Sequence, residues 1–267
     1  MLSYQHAYHA GNMADVHKHA LLAWMLAYMA RKDKPLTYLE THAGRAVYDL
    51  SGAEARKTGE AAAGIAQARG WFAPDHPYAR CLAATRTAAG KDAYPGSPMI
   101  AAHLLRPDDQ IVLSELHPQE HAALADAMLR TQAQVIRQDG YQMALSRTPP
   151  DPRRGLLLCD PSYEIKADYQ DIPTFFQHLH RRWPVGVLVL WYPLLRDAPH
   201  RPMLAALAQS FPEGFRHEVG FPPARDGHRM TGSGLFVVNP PYGLEEEAQR
   251  LGAHIARLAG KGSAELS

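Results

Sequence analysis

Short apolar runs alternate with longer Ala- and Leu-rich stretches along most of the chain, and this alternation limits the possible folds more than any other feature. Short apolar runs are typical of buried strands, whereas long stretches without Pro or Gly are typical of helices. Strands that alternate with helices form a largely parallel sheet with helices on both faces. The sequence therefore predicts an α/β fold.

The bounds of the elements follow from these runs and from the turn residues between them. The predicted strands cover residues 36–40, 110–115, 134–138, 155–160, 185–191, 216–220 and 235–239. The predicted helices cover residues 14–31, 118–130, 171–182, 201–210 and 244–259. Asn12 or Asp15 is expected to cap the first helix, and a further helix is expected to begin at Ser97-Pro98 with the serine as N-cap. Pro193 is expected to stop the strand over 185–191.

Residues 46–94 interrupt the alternation. They form Ala-rich helical stretches that are broken by Gly59, Gly64, Gly70 and Pro74, and they contain no convincing strand. The whole chain of 267 residues suits one domain of ordinary size. We therefore expect a single domain that carries a helical insertion at 46–94.

The net charge is only +1, so the composition gives no general indication of a nucleic-acid partner. Any basic surface must be local. Candidate patches are Arg31 with Lys32 and Lys34, the pairs Arg153-Arg154 and Arg181-Arg182, and the loop that carries Arg225 and Arg229. Each of these residues, taken singly, also fits ordinary solvated surface charge.

Membrane and secreted classes find no support in the sequence. No apolar run approaches the roughly 20 residues of a membrane span, and the N-terminus lacks a basic segment followed by an apolar core. The two cysteines, Cys81 and Cys159, form no disulfide framework. A reduced cytoplasmic protein without a membrane partner is the expectation.

Acidic residues follow three predicted strands in order: Glu115, then Asp139 before Gly140, and then Asp160. A carboxylate at such a strand end can accept hydrogen bonds from ribose hydroxyls or from an adenine amino group, and ligands of open α/β sheets bind at this edge. The turn at 41–44 contains a glycine, which permits close approach to a ligand. Each acid alone fits a helix cap as well. The ordered series predicts a nucleoside cofactor.

The tetrapeptide Asp160-Pro161-Ser162-Tyr163 resembles the (D/N)-P-P-(Y/F) motif of S-adenosylmethionine-dependent amino-methyltransferases. Asp160 and the carbonyl of Pro161 could accept both hydrogens of an adenine-type amine and direct its lone pair at the sulfonium methyl group, since proline fixes φ. Tyr163 could stack on a base that is unpaired or flipped out. The same residues also fit an ordinary turn after a strand.

A second tetrapeptide, Asn239-Pro240-Pro241-Tyr242, matches that motif better by letter. It comes two predicted strands later than Asp160, far from the series of acids. We interpret it as the end of the last strand.

Histidines are crowded near the N-terminus. The polar cluster there consists of Tyr4, His6, His9, His17, Lys18 and His19. A metal site is one interpretation, but no cysteine or acidic spacing supports it, and His17 and His19 fall on different faces of a helix. In the other interpretation, Lys18 and His19 line the cofactor pocket, and Tyr4 and His6 contact the base or phosphate of a substrate.

Motifs spread in order along the chain resemble the bacterial 23S ribosomal RNA adenine-N6 methyltransferases, which modify one adenine of the large-subunit RNA. The matching stretches are Tyr4 with His6, Ala10-Gly11-Asn12, Ala14-Asp15-Val16, Lys18-His19, Thr41-His42-Ala43-Gly44, Tyr94-Pro95-Gly96-Ser97-Pro98, Glu115-Leu116-His117-Pro118, Asp139-Gly140, Arg153-Arg154-Gly155, Asp160-Pro161, Tyr163-Glu164, Trp191-Tyr192-Pro193, Met230-Thr231 and Asn239-Pro240-Pro241. Two departures are Ser162, where the family usually has a second proline, and a shorter turn after Gly44.

The resemblance implies a Rossmann-like methyltransferase domain that acts as a monomer on 23S ribosomal RNA, free or partly assembled, without a metal. It implies that S-adenosylmethionine is bound by His19, His42, Ser97, Glu115, Asp139, Gly140 and Asp160. It also implies Asp160 as the catalytic residue and Tyr4 as a substrate contact. Two other hypotheses remain open at this point: the same chemistry on DNA adenine or on a protein glutamine, and a catalytically silent RNA-binding protein on the same fold.

Overall fold

The computed structural model describes residues 6–224 and 229–264. The strands are β1 (Thr37–Glu40), β2 (Val47–Asp49), β3 (Ala93–Pro95), β4 (Gln110–Ser114), β5 (Ala133–Ile136), β6 (Gly155–Cys159), β7 (Val187–Leu195), β8 (Phe215–Gly220) and β9 (Met230–Val238). The helices are a 3₁₀ turn (His6–Tyr8) followed by α1 (Met13–Ala30), α2 (Ala53–Thr58), α3 (Glu60–Ala63), α4 (Pro77–Ala89), α5 (Ser97–Leu104), α6 (Pro118–Met128), α7 (Gly140–Arg147), α8 (Asp168–Arg182), α9 (His200–Ser210) and α10 (Leu244–Ala264).

The main sheet has the strand order β5-β4-β1-β6-β7-β9-β8. Strands β5, β4, β1, β6 and β7 pair in parallel, and β9 runs antiparallel to both of its neighbours. One face packs apolar side chains of β1 and β6 against α1, α5 and α10. The other face packs against α7, α8 and α9. The largely parallel sheet with helices on both faces confirms the predicted α/β class.

The register of the central strands aligns their carboxyl ends. Glu40, the last residue of β1, lies opposite Leu113 of β4 on one side and Leu158 of β6 on the other. The chain therefore leaves β1, β4 and β6 at the same edge of the sheet. Since β1 stands between β4 and β6, this edge is also where a crevice opens in sheets of this kind.

Helix α1 carries its N-terminus to that edge. Asn12 is its N-cap, and the side-chain oxygen accepts a hydrogen bond from the backbone N–H of Asp15 at 2.8 Å. This confirms the first of the two predicted caps. The helix contacts α4, α5, α10 and β9, so most of its side chains are buried, Lys18 and His19 among them.

Residues 46–94 contain the helices α2, α3 and α4, but two short strands that the sequence analysis missed lie at the ends of this range. Strands β2 and β3 pair antiparallel, with Val47 opposite Pro95 and Tyr48 opposite Tyr94. Each is three residues long, too short to show a period of two, and each is stabilised by its partner across the insertion. Helix α7 was also missed; it has only eight residues.

Two local predictions were wrong. Gly96, not Ser97, is the N-cap of α5, and the Ser97 hydroxyl instead donates to Glu40 across the domain. Pro193 does not stop β7, which continues to Leu195. Strand β6 pairs with β7 only as far as Leu190. At Pro193, β7 therefore pairs with β9 alone, and the position where proline lacks an N–H can face away from β9.

Within the described residues, no helix is both long enough and apolar enough to cross a membrane.

Candidate functional site

A cavity of about 350 Å³ lies at the carboxyl edge of the sheet. Every predicted site residue in the described part of the chain lines it: His6, Lys18, His19, His42, Ser97, Glu115, Asp139, Gly140, Asp160, Pro161 and Tyr163. Tyr4 lies outside the described residues. Residues from at least five elements and turns thus meet in one space of a size typical of small-molecule sites.

Asp160, directly after β6, forms an ion pair with Lys18 of α1. The Lys18 Nζ donates to Asp160 Oδ2 at 2.6 Å and lies 3.2 Å from Asp15 Oδ1. Burial would lower the pKa of the Lys18 ammonium, but Asp160 and Asp15 outweigh it and raise that pKa above its usual value. Lys18 therefore stays charged and holds one carboxylate oxygen of Asp160. Among the residues that the structure describes, no group donates to the other oxygen, Oδ1.

Asp15 is the second carboxylate of this cluster, and the sequence analysis named it only as a possible cap and within a motif. It is almost fully buried, and its Oδ2 accepts from His6 Nε2 at 2.8 Å and from the backbone N–H of Gly11 at 2.9 Å. Burial would raise the pKa of Asp15, yet His6, Lys18 and His19 hold it well below its usual range. Asp15 thus links the N-terminal segment to the Lys18–Asp160 pair.

The loop after Asp160 folds Tyr163 back against β7. Tyr163 has a left-handed backbone (φ 57°), and its hydroxyl donates to the carbonyl of Trp191 at 2.7 Å. Its ring lies 4.6 Å from that of Tyr169, between centroids, and only 9% of the residue is exposed. Tyr163 therefore offers little free ring surface to the cavity.

The turns after β1 and β4 are joined by Glu115. Its carboxylate accepts from the backbone N–H of Gly44 at 2.9 Å and from that of His117 at 2.7 Å. Burial raises the pKa of Glu115, although these two N–H groups partly offset the effect. Leu116 beside it is about half exposed and adds an apolar side chain to the cavity wall.

The turn after β5 places Asp139 and Gly140 in the cavity wall. Asp139 caps α7 by accepting from the N–H of Gln142 at 2.9 Å. A Cβ on Gly140 would collide with the backbone carbonyl of Thr41. Only glycine therefore lets the β5 turn pack this closely on the β1 turn.

Two histidines of the cavity, the buried His19 and the partly buried His42, are uncharged near neutral pH. Burial lowers the pKa of His19 to about 3, despite the nearby Asp15, and His19 Nδ1 is 2.8 Å from the Tyr94 hydroxyl. Burial likewise lowers the pKa of His42 to about 4, and its Nδ1 is 2.7 Å from Thr41 Oγ1. Both rings act as neutral donors or acceptors in the wall.

Glu40 is a buried acid that the sequence analysis missed. Its carboxyl accepts from Ser97 Oγ at 2.5 Å and from the Tyr38 hydroxyl at 2.9 Å. Burial raises the pKa of Glu40 to about 8, so the group is mostly protonated at neutral pH. A signal was present in the sequence, because Glu40 is the one acid in the apolar run 36–40.

The second tetrapeptide lies at the other edge of the sheet. Asn239 follows β9, which is antiparallel to β7, and its side-chain amide donates to the carbonyls of Pro184 and Gly186 at 2.9 and 2.8 Å. Tyr242 is 86% exposed. The tetrapeptide ends the last strand, as interpreted from the sequence.

The N-terminal histidines of the described chain have separate partners. His6 contacts Asp15, His9 Nδ1 is 2.9 Å from Glu60 Oε1 in the insertion, and His17 contacts His217 of β8. No group of three or more His, Cys, Asp or Glu side chains in the described residues is arranged to hold a metal ion.

Comparison with known proteins gives matches over most of the chain. Residues 33–266 match the family described as "Ribosomal RNA large subunit methyltransferase D, RlmJ". "Ribosomal RNA large subunit methyltransferase J" of Escherichia coli (strain K12) is 38% identical over 254 residues, which are 92% of this chain and 90% of that protein. The protein of the same name from Haemophilus influenzae is 37% identical over 260 residues, which are 94% and 92% of the two chains. The crystal structure of protein LPL1258 from Legionella pneumophila is similar, with a TM-score of 0.82, 33% identity and 94% of each chain covered.

Proposed function

The chain belongs to the family of ribosomal RNA large subunit methyltransferases, and we propose that it methylates the exocyclic N6 of one adenine in 23S ribosomal RNA with S-adenosylmethionine as donor. The observation that carries this proposal is the single cavity in which Asp160-Pro161 meets the turns after β1, β4 and β5. An amine-binding motif and a nucleoside-type site share one space there.

The residues of the cavity fit S-adenosylmethionine. In this proposal Glu115 accepts from ribose hydroxyls, Asp139 and Gly140 contact the adenine, and Leu116 covers its face; all four line the cavity. His19, His42, Ser97 and Asp160 line the remainder of this side. When bound, the cofactor supplies an electrophilic methyl group on a sulfonium centre.

Asp160 and Pro161 are proposed to hold the target amine. Lys18 occupies Oδ2 of Asp160, which leaves Oδ1 to accept one N–H of the amine, while the Pro161 carbonyl accepts the other. An adenine amine is a poor nucleophile because its lone pair is delocalised into the ring. Two acceptors in fixed positions favour a tetrahedral nitrogen whose lone pair points toward the methyl group. The Lys18 ammonium keeps the Asp160 carboxylate paired while the amine is bound.

The target base must be unpaired or flipped out to enter the cavity. We propose that Tyr4 and His6 contact the base or its phosphate and that the insertion and the N-terminal segment contact the surrounding RNA. The insertion lies beside this segment, since Glu60 bonds both His9 and Asn12. Local contacts are required because the net charge is only +1.

The principal test is methyl transfer from labelled S-adenosylmethionine to unmodified 23S ribosomal RNA, followed by identification of the methylated nucleoside. We expect label in N6-methyladenosine at one position. DNA of the same sequence and a glutamine-containing protein serve as parallel substrates, because each presents a planar, conjugated NH2 group that Asp160 and Pro161 could hold. Label in DNA or protein alone, or label absent from all three substrates with a protein that binds the cofactor, would overturn the proposal.

We further propose that the enzyme acts in the cytoplasm as a monomer on free or partly assembled RNA. Transfer rates on naked 23S RNA, on assembly intermediates and on intact large subunits would check the substrate form. Light scattering would check the oligomeric state. A rate that is highest on intact subunits, or a stable dimer, would contradict these expectations.

A further inference from the structure

The aromatic wall beside the amine site is formed by Trp191 of β7, which the sequence analysis quoted only within a motif. Trp191 is partly buried and lines the cavity with Asp160 and Lys18. The Lys18 Nζ lies 5.3 Å from the centre of the Trp191 ring and 2.6 Å from Asp160 Oδ2. One ammonium group therefore contacts both the carboxylate that receives the amine and the indole beside it.

Trp191 is fixed at two further points. Its backbone carbonyl accepts from the Tyr163 hydroxyl at 2.7 Å, and its Nε1–H donates to Ser233 Oγ at 2.9 Å. Tyr163 is largely covered, so within this loop it supports Trp191 rather than presenting its own face.

Behind Ser233, a chain of hydrogen bonds, buried at His17 and part-buried at His217, continues to β8. His17 Nδ1 is 2.9 Å from Ser233 Oγ, and His17 Nε2 is 2.9 Å from His217 Nδ1. Burial, with His217 nearby, lowers the pKa of His17 well below its usual value, so the ring is neutral. Because indole can only donate, Trp191 donates to Ser233, and the Ser233 hydroxyl joins this bond to the His17–His217 contact.

We propose that Trp191 is the surface against which the target adenine is placed, and that Ser233, His17 and His217 are positioning residues that hold its ring. This inference rests on the proposed function, since it assigns the base side of the same cavity. A planar purine whose amine reaches Asp160 must lie beside the Lys18 ammonium, because Lys18 is bonded to Asp160. The Trp191 ring contacts the same ammonium and therefore lies beside the purine. A rigid indole would fix the plane of the base and hence the direction of the amine lone pair.

The decisive experiment measures methyl transfer to unmodified 23S RNA and S-adenosylhomocysteine affinity for Trp191→Ala and Trp191→Phe. Trp191→Ala should lower kcat/KM for RNA by roughly 5- to 150-fold, the range expected for one stacked base. S-adenosylhomocysteine affinity should stay within about twofold, and Trp191→Phe should retain most of the activity. Ser233→Ala should cause a smaller loss of the same kind.

Trp24 provides a matched control, because it is also partly buried on the same core but stacks on Tyr28 instead of lining the cavity. RNA should quench indole fluorescence equally in the wild type and in Trp24→Phe, and this quenching should be clearly smaller in Trp191→Phe. Quenching by Trp191→Phe as large as that of the wild type, or wild-type kcat/KM in Trp191→Ala, would overturn the inference. If Trp191→Ala does not fold, Trp191→Phe and Ser233→Ala decide the question. A wild-type protein that transfers no methyl group would instead refute the proposed function.

Discussion

The two tetrapeptides Asp160-Pro161-Ser162-Tyr163 and Asn239-Pro240-Pro241-Tyr242 end the two strands that flank β7, yet they lie at opposite edges of the sheet. Strand β6 runs parallel to β7, so the tetrapeptide that follows β6 lies at the cavity. Strand β9 runs antiparallel to β7, so the tetrapeptide that follows β9 lies at the opposite edge of the sheet.

Each tetrapeptide contains a non-glycine residue in the left-handed region, but the two residues have different roles. Tyr163 (φ 57°) is almost covered and bonds the carbonyl of Trp191. Asn239 (φ 55°) uses its amide to bond two carbonyls of the turn before β7, and Asn is a residue type that tolerates this conformation. One tetrapeptide is built around a carboxylate paired with a buried ammonium, and the other around a neutral amide that closes a strand end. A motif of this type therefore acquires its chemistry from the direction of the strand that precedes it.

The largest contrast is expected between Asp160→Asn and Asn239→Ala. Loss of a charge-assisted acceptor contributes about 1.5–3 kcal/mol, and loss of lone-pair orientation adds to it, so Asp160→Asn should lower methyl transfer to 23S RNA by more than about 100-fold. Asp160→Ala should lose at least as much activity while it keeps the fold.

Asn239→Ala should transfer methyl groups within about twofold of wild type, and its free energy of unfolding should fall by about 1–2 kcal/mol. Turnover assays and urea denaturation measure these quantities. Near-normal turnover in Asp160→Asn, with a loss in Asn239→Ala, would reverse the roles of the two tetrapeptides.

Glu115→Ala should weaken binding of the cofactor at the carboxyl edge of the sheet without weakening binding of RNA. Removing the proposed acceptor for the ribose hydroxyls should weaken S-adenosylhomocysteine binding by roughly 10- to 100-fold, as for one charge-assisted hydrogen bond, with RNA affinity unchanged. Calorimetry and an RNA filter-binding assay give the two dissociation constants. An unchanged cofactor constant would mean that Glu115 only joins the turns at Gly44 and His117.

The pH dependence of stability should also distinguish the carboxyl edge of the sheet, because Glu40 at the end of β1 has a pKa of about 8. Folding raises the pKa of Glu40 above its unfolded value of about 4.3. The stability that Glu40 contributes is therefore fully present below about pH 4.3, and it is lost as the pH rises to about 8. The slope is up to about 1.4 kcal/mol per pH unit. Glu40→Gln should therefore lose less stability than wild type between pH 6 and 9 in urea denaturation. Parallel curves for the two proteins would show that Glu40 ionises normally.

Ser162→Pro should have the smallest effect and would make the first tetrapeptide resemble the second. Among the described residues, the N–H of Ser162 donates no hydrogen bond, and its hydroxyl accepts only a long one, 3.5 Å, from the N–H of Glu164. A proline there removes little, so turnover on 23S RNA should stay within about threefold of wild type. A loss above tenfold would show that the loop requires a backbone angle at 162 that proline cannot adopt.

Residues that line the cavity could be predicted from the sequence where their signal is local, but not where contact depends on packing. Glu115, Asp139 and Asp160 each follow an apolar run, so their order along the chain indicated one edge of a sheet before the structure was known. Asp15 and Trp191 carry no such signal. Asp15 matters because Lys18, three residues later, reaches Asp160, which is 142 positions from Lys18. Trp191 matters because Ser233 and His17 come to lie behind it.

The sequence by itself determined the alternation of strands and helices, a cap at Asn12 or Asp15 and the acids at the strand ends, because period, capping and turn chemistry act over a few residues. The tertiary structure alone decided which tetrapeptide faces the cavity, because strand direction depends on pairing between distant segments. It also decided the pairing of β2 with β3 and the protonation of Glu40. A three-residue strand exists only with its partner, and a carboxyl pKa near 8 arises only when the fold removes water from around that carboxyl.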